Sequence, residues 1–301
     1  MSEKVEAKKK ARKPNLWDEI KSFFWLIAAV LLFHSFVAKP FYIPSTSMMP
    51  TLLVGDRLVV SKYPYGWSHV SPTIPNPAAI FRWLVLREQD ETLAFNLPKQ
   101  KGRVWGASPK RGDIVILTHP INKQDYIKRV IGLPGETIEL RNGQVFINGA
   151  PIKQEAQPSM ELPVDINNEC SESSLPNALR RENDGTLRCM VSIVREKLPN
   201  GKYWDTIDAR DSDNDDITPY NIADGHYYLM GDNRDNSADS RDQSNRGLDG
   251  AVPWENIGGR ASIITFSVDG STSWNPKTWF SSLRSGRAGN SLRTKKEEQP
   301  E

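Results

Sequence analysis

Ser45 and Ser47 stand two apart in the run Phe41-Tyr-Ile-Pro-Ser-Thr-Ser-Met-Met-Pro-Thr51 of this 301-residue chain. Pro44 and Pro50 fix φ and each remove a backbone donor, so the run does not suit a helix. In an extended segment alternate side chains share a face, which puts both hydroxyls on one side. A serine held on so stiff a segment suits an exposed nucleophile, although a Ser/Pro-rich linker has the same composition. A nucleophilic serine needs a base. No G-x-S-x-G turn occurs, and His34, His69, His119 and His226 sit in no recognisable triad setting. Lysine is the other option. Lys128 falls inside the strand pattern Asp125-Tyr-Ile-Lys-Arg-Val-Ile131, flanked two residues either way by Tyr126 and Val130. It could equally be a solvent-face lysine paired with a carboxylate such as Asp125.

The two readings of Lys128 differ in charge. With an ordinary pKa near 10.4, fewer than about one lysine in a thousand is neutral at pH 7. Burial among Met48, Ile127 and Val130 would lower that pKa, at a cost of ~3–4 kcal/mol for ~2–3 units. A third polar stretch follows the apolar strand 226–230: Gly231-Asp-Asn-Arg-Asp-Asn-Ser-Ala-Asp-Ser-Arg241. By itself it fits an Asx-rich surface turn. At the end of a core sheet it could instead pair its carboxylates with arginines and use a serine hydroxyl to orient an amine.

The elements that must position these groups read as follows. Residues 1–19 form a polar, basic arm. Residues 20–38 form a transmembrane helix, with Ser22 to Ala38 almost wholly apolar and spanning roughly 26 Å at 1.5 Å per residue. Lys21 and Lys39 can reach the two interfaces, and the basic arm places the N-terminus on the cytoplasmic side. Beyond the helix the pattern is β. Residues 39–153 form a first core part, interrupted at 63–109 by an insertion carrying Trp67, Phe81, Trp83, Phe95 and Trp105. Residues 154–218 form an inserted β subdomain, 219–280 a second core part, and 281–301 a disordered tail.

Composition excludes some functions. The formal net charge is only +2, with the positive charge gathered at the ends, so no basic field points to nucleic acid. Cys170 and Cys189 have no metal-ligand spacing. They fit two buried thiols or one disulfide in an oxidising compartment. Asp211, Asp213 and Asp215 alternate like a calcium loop but lack its glycine and glutamate, with Asp216 and Ile222 at those positions. Neither a metal nor a cofactor is expected.

Taken together, Pro44 to Leu52, Arg111-Gly-Asp113, Asp125 to Gly135 and Gly231 to Arg241 resemble the motifs of the bacterial type I signal peptidases, in that family's order and behind an anchor segment. The resemblance covers about half the chain. It implies a mainly antiparallel β catalytic core with an inserted β subdomain and a single N-terminal transmembrane helix. It also implies that Ser47 is the nucleophile, Lys128 the general base, and Ser45 the hydroxyl completing an oxyanion hole with the backbone N–H of Ser47. Ser237 would orient the lysine, with Asp239–Arg241 and Asp232–Arg129 as supporting ion pairs. Phe41, Ile43, Leu58, Ile116 and Ile127 would line shallow apolar subsites. Thr46 departs from the pattern, which usually has glycine there; a position needing φ > 0 would strain a threonine.

The expected function is a membrane-anchored serine endopeptidase that removes signal peptides from preproteins at the outer face of the cytoplasmic membrane. The partners implied are preprotein signal peptides, the lipid bilayer and the protein-export machinery. The alternatives are a specialised relative that processes one pilus- or conjugation-type substrate, and a catalytically silent membrane-tethered binding protein.

Overall fold

The structure is a computed structural model that describes residues 15–72, 74 and 102–297. It opens with helix α1 (Leu16–Phe36), with Asp18 and Glu19 in its first turn, where the helix dipole favours negative charge. Of its side chains only Ser35 is buried, and the large apolar residues from Leu16 to Phe36 face outward. No helix among the described residues is long and apolar enough to cross a membrane. The reason lies at the two ends of α1. Asp18, Glu19 and Lys21 at one end and His34 and Ser35 at the other limit the uninterrupted apolar stretch to residues 23–33, roughly 16 Å of helix.

Val37 alone separates α1 from the first strand. The central sheet has seven strands, all antiparallel to their neighbours, in the order β1 (Ala38–Tyr42), β2 (Asp56–Ser61), β15 (Ile257–Ser267), β3 (Ile114–Thr118), β4 (Asp125–Gly132), β13 (His226–Met230) and β14 (Val252–Pro253). Register shifts at Ile257/Gly259, Ala261/Ile263 and Ile264/Phe266 mark bulges in β15, which bend it across the middle of the sheet. Strand β4 is buried from Ile127 to Gly132, so Lys128 and Arg129 lie in the interior.

A second sheet contains β16 (Lys295–Lys296), β11 (Lys202–Thr206), β10 (Leu187–Lys197) and β8 (Lys153–Leu162), with β9 (Leu179–Arg181) also paired to β10. A third contains β12 (Ile217–Asn221), β5 (Thr137–Arg141), β6 (Gln144–Ile147) and β7 (Ala150–Pro151). The Asn142-Gly143 hairpin between β5 and β6 has both residues at positive φ, as a tight turn of this type requires. Cys170 and Cys189 form a disulfide. It packs with Met49, Leu53, Val191 and Ile207 in a core cluster beneath the second sheet.

One further finding differs from the sequence reading. The segment after residue 281 is not a disordered tail up to residue 297. Arg284 makes two 2.8 Å hydrogen bonds to Asp165 and one of 2.7 Å to the Val54 carbonyl. Arg287 pairs with buried Asp56, Leu292 enters the main core, and β16 adds an edge strand to β11. A Ser/Gly/Lys/Arg composition hides these attachments because three isolated side chains make most of them. In the insertion, the Trp67 indole N–H donates to the Phe36 carbonyl at 2.8 Å, and the Trp67 ring meets Phe36 and Trp105. Phe81, Trp83 and Phe95 lie outside the described residues.

Candidate active site

The run after β1 folds back on itself through a turn in which Met49 N–H donates to the Thr46 carbonyl and Leu52 N–H to that of Met48. Its two methionines point into different interiors. Met48 packs with Ile43, Leu52, Leu58 and Ile114, whereas Met49 packs against the disulfide cluster. Both are fully buried, so the backbone at Ser47 is pinned from two sides. Strand β4 delivers Lys128 from the central sheet. Its Nζ donates to the Ser47 Oγ at 3.0 Å.

Lys128 is 4 % exposed and Ser47 7 %. Burial pushes the Lys128 amine down to about 8; Asp239 pulls it back up, Arg241 pushes it down and Asp232 pulls it up. The carboxylates are near, but each is tied to an arginine. Arg129 donates Nε to Asp232 Oδ1 at 2.7 Å and Nη2 to Oδ2 at 2.6 Å. Arg241 holds Asp239 with two 3.0 Å bonds. Pairing cancels most of the field that would keep the lysine charged, which leaves desolvation as the main influence. Lys62 is also pushed to about 8 by burial, yet its Nζ donates to the Ser71 carbonyl rather than to a hydroxyl. A poised amine beside a serine Oγ therefore distinguishes Lys128 from Lys62, the other buried lysine among the described residues.

Ser45 Oγ lies 3.4 Å from Ser47 Oγ, on the exposed side of the run. Ser237 is brought to the same place, but its Oγ is buried without a hydrogen-bond partner, so the expected bond to Lys128 is not made. The lysine is turned to Ser47 instead. The space for Ser237 comes from Gly231. A Cβ there would stand 2.2 Å from Ser237 Oγ and 2.5 Å from the Ser47 carbonyl oxygen. Ile43, Leu58, Ile116 and Ile127 gather in one buried cluster with Phe41 packed against it. Leu58 is fully buried and supports that surface from behind, whereas Phe41 is partly exposed. Thr46 is not among the residues at positive φ, so no strain attaches to it. Among the described residues no group of three or more His, Cys, Asp or Glu side chains is placed to hold a metal ion.

Thr51 within the serine run, together with residues outside the motifs, completes the surroundings. Thr51 Oγ1 donates to Asp232 at 2.6 Å. Glu196, fully buried in β10, accepts from Arg234 at 2.7 Å and from the Trp204 indole at 2.8 Å, and Trp204 in turn lies under the Arg129 guanidinium. A single glutamate in a strand carries no local signal of such a role. Its cross-strand neighbour Trp204 was the available hint, since a buried indole N–H needs an acceptor. A hydroxyl held in a dry site against an amine that burial lets lose its proton near pH 8 can attack a carbonyl, with the neutral amine taking its proton.

A family model described as signal peptidase, peptidase S26, matches residues 16–266. The chain belongs to that family. It is accordingly a serine peptidase. Signal peptidase I of Pseudomonas fluorescens is 31% identical over 273 residues, covering 87% of this chain and 77% of that protein. The enzyme of the same name from Buchnera aphidicola of Schizaphis graminum is 33% identical over 303 residues, covering 92% and 82%. A crystal structure of a signal peptidase I from Enterococcus faecalis is 26% identical, covers 51% of this chain and 97% of that one, and superposes with a TM-score of 0.27.

Proposed function

We propose that this family member is a membrane-anchored endopeptidase that removes N-terminal signal peptides from exported preproteins, with Ser47 as nucleophile and Lys128 as general base. The observation that carries the reading is the 3.0 Å contact between Lys128 Nζ and Ser47 Oγ in a buried site. Ser47 Oγ attacks the scissile carbonyl while neutral Lys128 takes its proton. The tetrahedral oxyanion is met by the Ser47 backbone N–H and the Ser45 hydroxyl; one such donor is typically worth ~3–4 kcal/mol. Lys128 returns the proton to the leaving amine, and water then hydrolyses the acyl-enzyme with the same base. Asp239 and Asp232 steady the ammonium that forms transiently, and Ser237, adjacent and unpartnered, turns to hold it. Phe41, Ile43, Leu58, Ile116 and Ile127 shape the apolar surface that receives small side chains before the cut.

The site works at a lipid surface. The exposed apolar girth of α1 and the Phe36–Trp67–Trp105 aromatic contact at its end support burial of this helix in the bilayer, with tryptophans at headgroup level. The Cys170–Cys189 disulfide supports an oxidising, extracytoplasmic side for the β domains. The silent binding-protein alternative rested on a strained Thr46 and has lost that basis. The test is cleavage of a purified preprotein in detergent by wild type, Ser47→Ala and Lys128→Ala. Activity in wild type alone supports the assignment, and cleavage by either variant at the wild-type rate overturns it.

A further inference from the structure

Thr46 lies immediately before Ser47, where the family resemblance expects glycine. Its hydroxyl is not idle. Asn236 Nδ2 donates to Thr46 Oγ1 at 2.6 Å. Asn236 in turn immediately precedes Ser237. Two more bonds join the same segments: Asn233 Nδ2 donates to the Thr46 carbonyl at 3.4 Å, and Asn233 N–H donates to the Ser47 carbonyl at 3.1 Å. Those two use backbone acceptors, which any residue supplies. The bond from Asn236 uses a side-chain oxygen that glycine lacks.

From this geometry we infer that Thr46 is a positioning residue, whose hydroxyl, held by Asn236, sets the seat of Ser47 against Lys128 and Ser237. Lys128 comes from β4 of the central sheet, whereas Ser47 rides on a turn outside any strand. The 3.0 Å contact between them therefore depends on how that turn is tied to the 231–241 loop. Thr46 is well suited to tie it. A β-branched side chain has few χ1 choices, so the hydroxyl is held ready with little entropy to lose. The backbone at Thr46 is not at positive φ, so it does not require glycine, and the threonine side chain supplies an anchor that glycine lacks.

The inference rests on Ser47 being the nucleophile, and its test keeps the two claims apart. Steady-state cleavage of a preprotein is measured at pH 9 for wild type, Thr46→Ser, Thr46→Val, Asn236→Ala, the double variant Thr46→Val/Asn236→Ala, and Ser47→Ala, with a thermal midpoint for each. Loss of one neutral hydrogen bond corresponds to a kcat lower by about 3- to 10-fold in Thr46→Val, with KM unchanged. Thr46→Ser restores kcat to near wild type, and the double variant is no slower than Asn236→Ala. A wild-type kcat in Thr46→Val, no rescue by serine, or multiplying losses in the double variant would overturn the role. If Thr46→Val fails to fold, Asn236→Ala cuts the same bond from the other side and carries the same expectation. Cleavage by Ser47→Ala overturns the nucleophile assignment and this inference with it. An inactive Ser47→Ala beside a fully active Thr46→Val overturns the role of Thr46 alone.

Discussion

Replacing Lys128 by methionine is expected to abolish turnover and, at the same time, to stabilise the protein at neutral pH. The lysine is held at about 8 against an ordinary 10.5, chiefly by burial. In the unfolded chain it is protonated at little cost; in the native site protonation is disfavoured. That difference of ~2.5 units corresponds to ~3 kcal/mol of native-state destabilisation at pH 7. The sign follows from proton counting. Between pH 8 and 10.5 the unfolded state keeps the proton that the native state has lost, so wild-type stability rises with pH across that window. Below pH 8 the full penalty remains, and above 10.5 it vanishes. Methionine, an unbranched apolar chain, carries no such penalty. Urea unfolding of wild type and Lys128→Met at several pH values reads the difference directly, and other titrating groups, Lys62 among them, cancel between the two proteins. The expected gain for Lys128→Met is ~3 kcal/mol at pH 7, shrinking towards zero by pH 10.5. A variant less stable than wild type at pH 7, or one whose advantage does not change with pH, would refute the claim that burial controls this amine.

Other consequences can be checked with single substitutions. Gly231→Ala places a methyl group 2.2 Å from Ser237 Oγ and 2.5 Å from the Ser47 carbonyl oxygen, and overpacking of ~1–3 kcal/mol at the reacting groups lowers kcat by about 10- to 100-fold in the preprotein assay. Arg287→Ala strips fully buried Asp56 of its ion partner. Because the arginine is partly exposed, a loss of about 2–3 kcal/mol is expected in urea unfolding. An unchanged midpoint would show that the C-terminal segment is only loosely attached. Replacing Cys170 and Cys189 together by serine removes a cross-link 19 residues apart and is expected to cost about 3 kcal/mol. Reductant should then have no effect on the stability of that variant.

The motif segments were the most legible part of the chain. The run Asp125 to Ile131, ended by Gly132-Leu-Pro-Gly135, marked β4, and Asn142-Gly143 marked its hairpin, because both signals are local. The partnerships of Arg129 with Asp232 and Arg241 with Asp239 could be anticipated from the family resemblance and are the ones the fold makes. What could not be read depended on contacts distant in sequence. Glu196 reaches Arg234 across 38 residues, and Arg287 reaches Asp56 across 231. Neither composition nor period carries that information. The cysteine pairing was open for the same reason: spacing does not reveal whether two Cα atoms come within bridging range. The sequence carried no signal that the Ser237 hydroxyl would lie against Gly231 and be left without a hydrogen-bond partner. The membrane reading of residues 20–38 weighed the total apolar content, whereas the charges in the first turns of α1 leave residues 23–33 as its uninterrupted apolar stretch.

The central claim is that an amine whose pKa burial has lowered activates Ser47. The pH dependence of kcat/KM for preprotein cleavage tests it most directly, since that profile reports the free enzyme's base. With the base at about 8, the rate should rise about tenfold from pH 7 and level off near pH 9. An acid limb near 6.5, as for imidazole, or a rate still climbing tenfold per unit at pH 10, as for a solvated lysine, would contradict it.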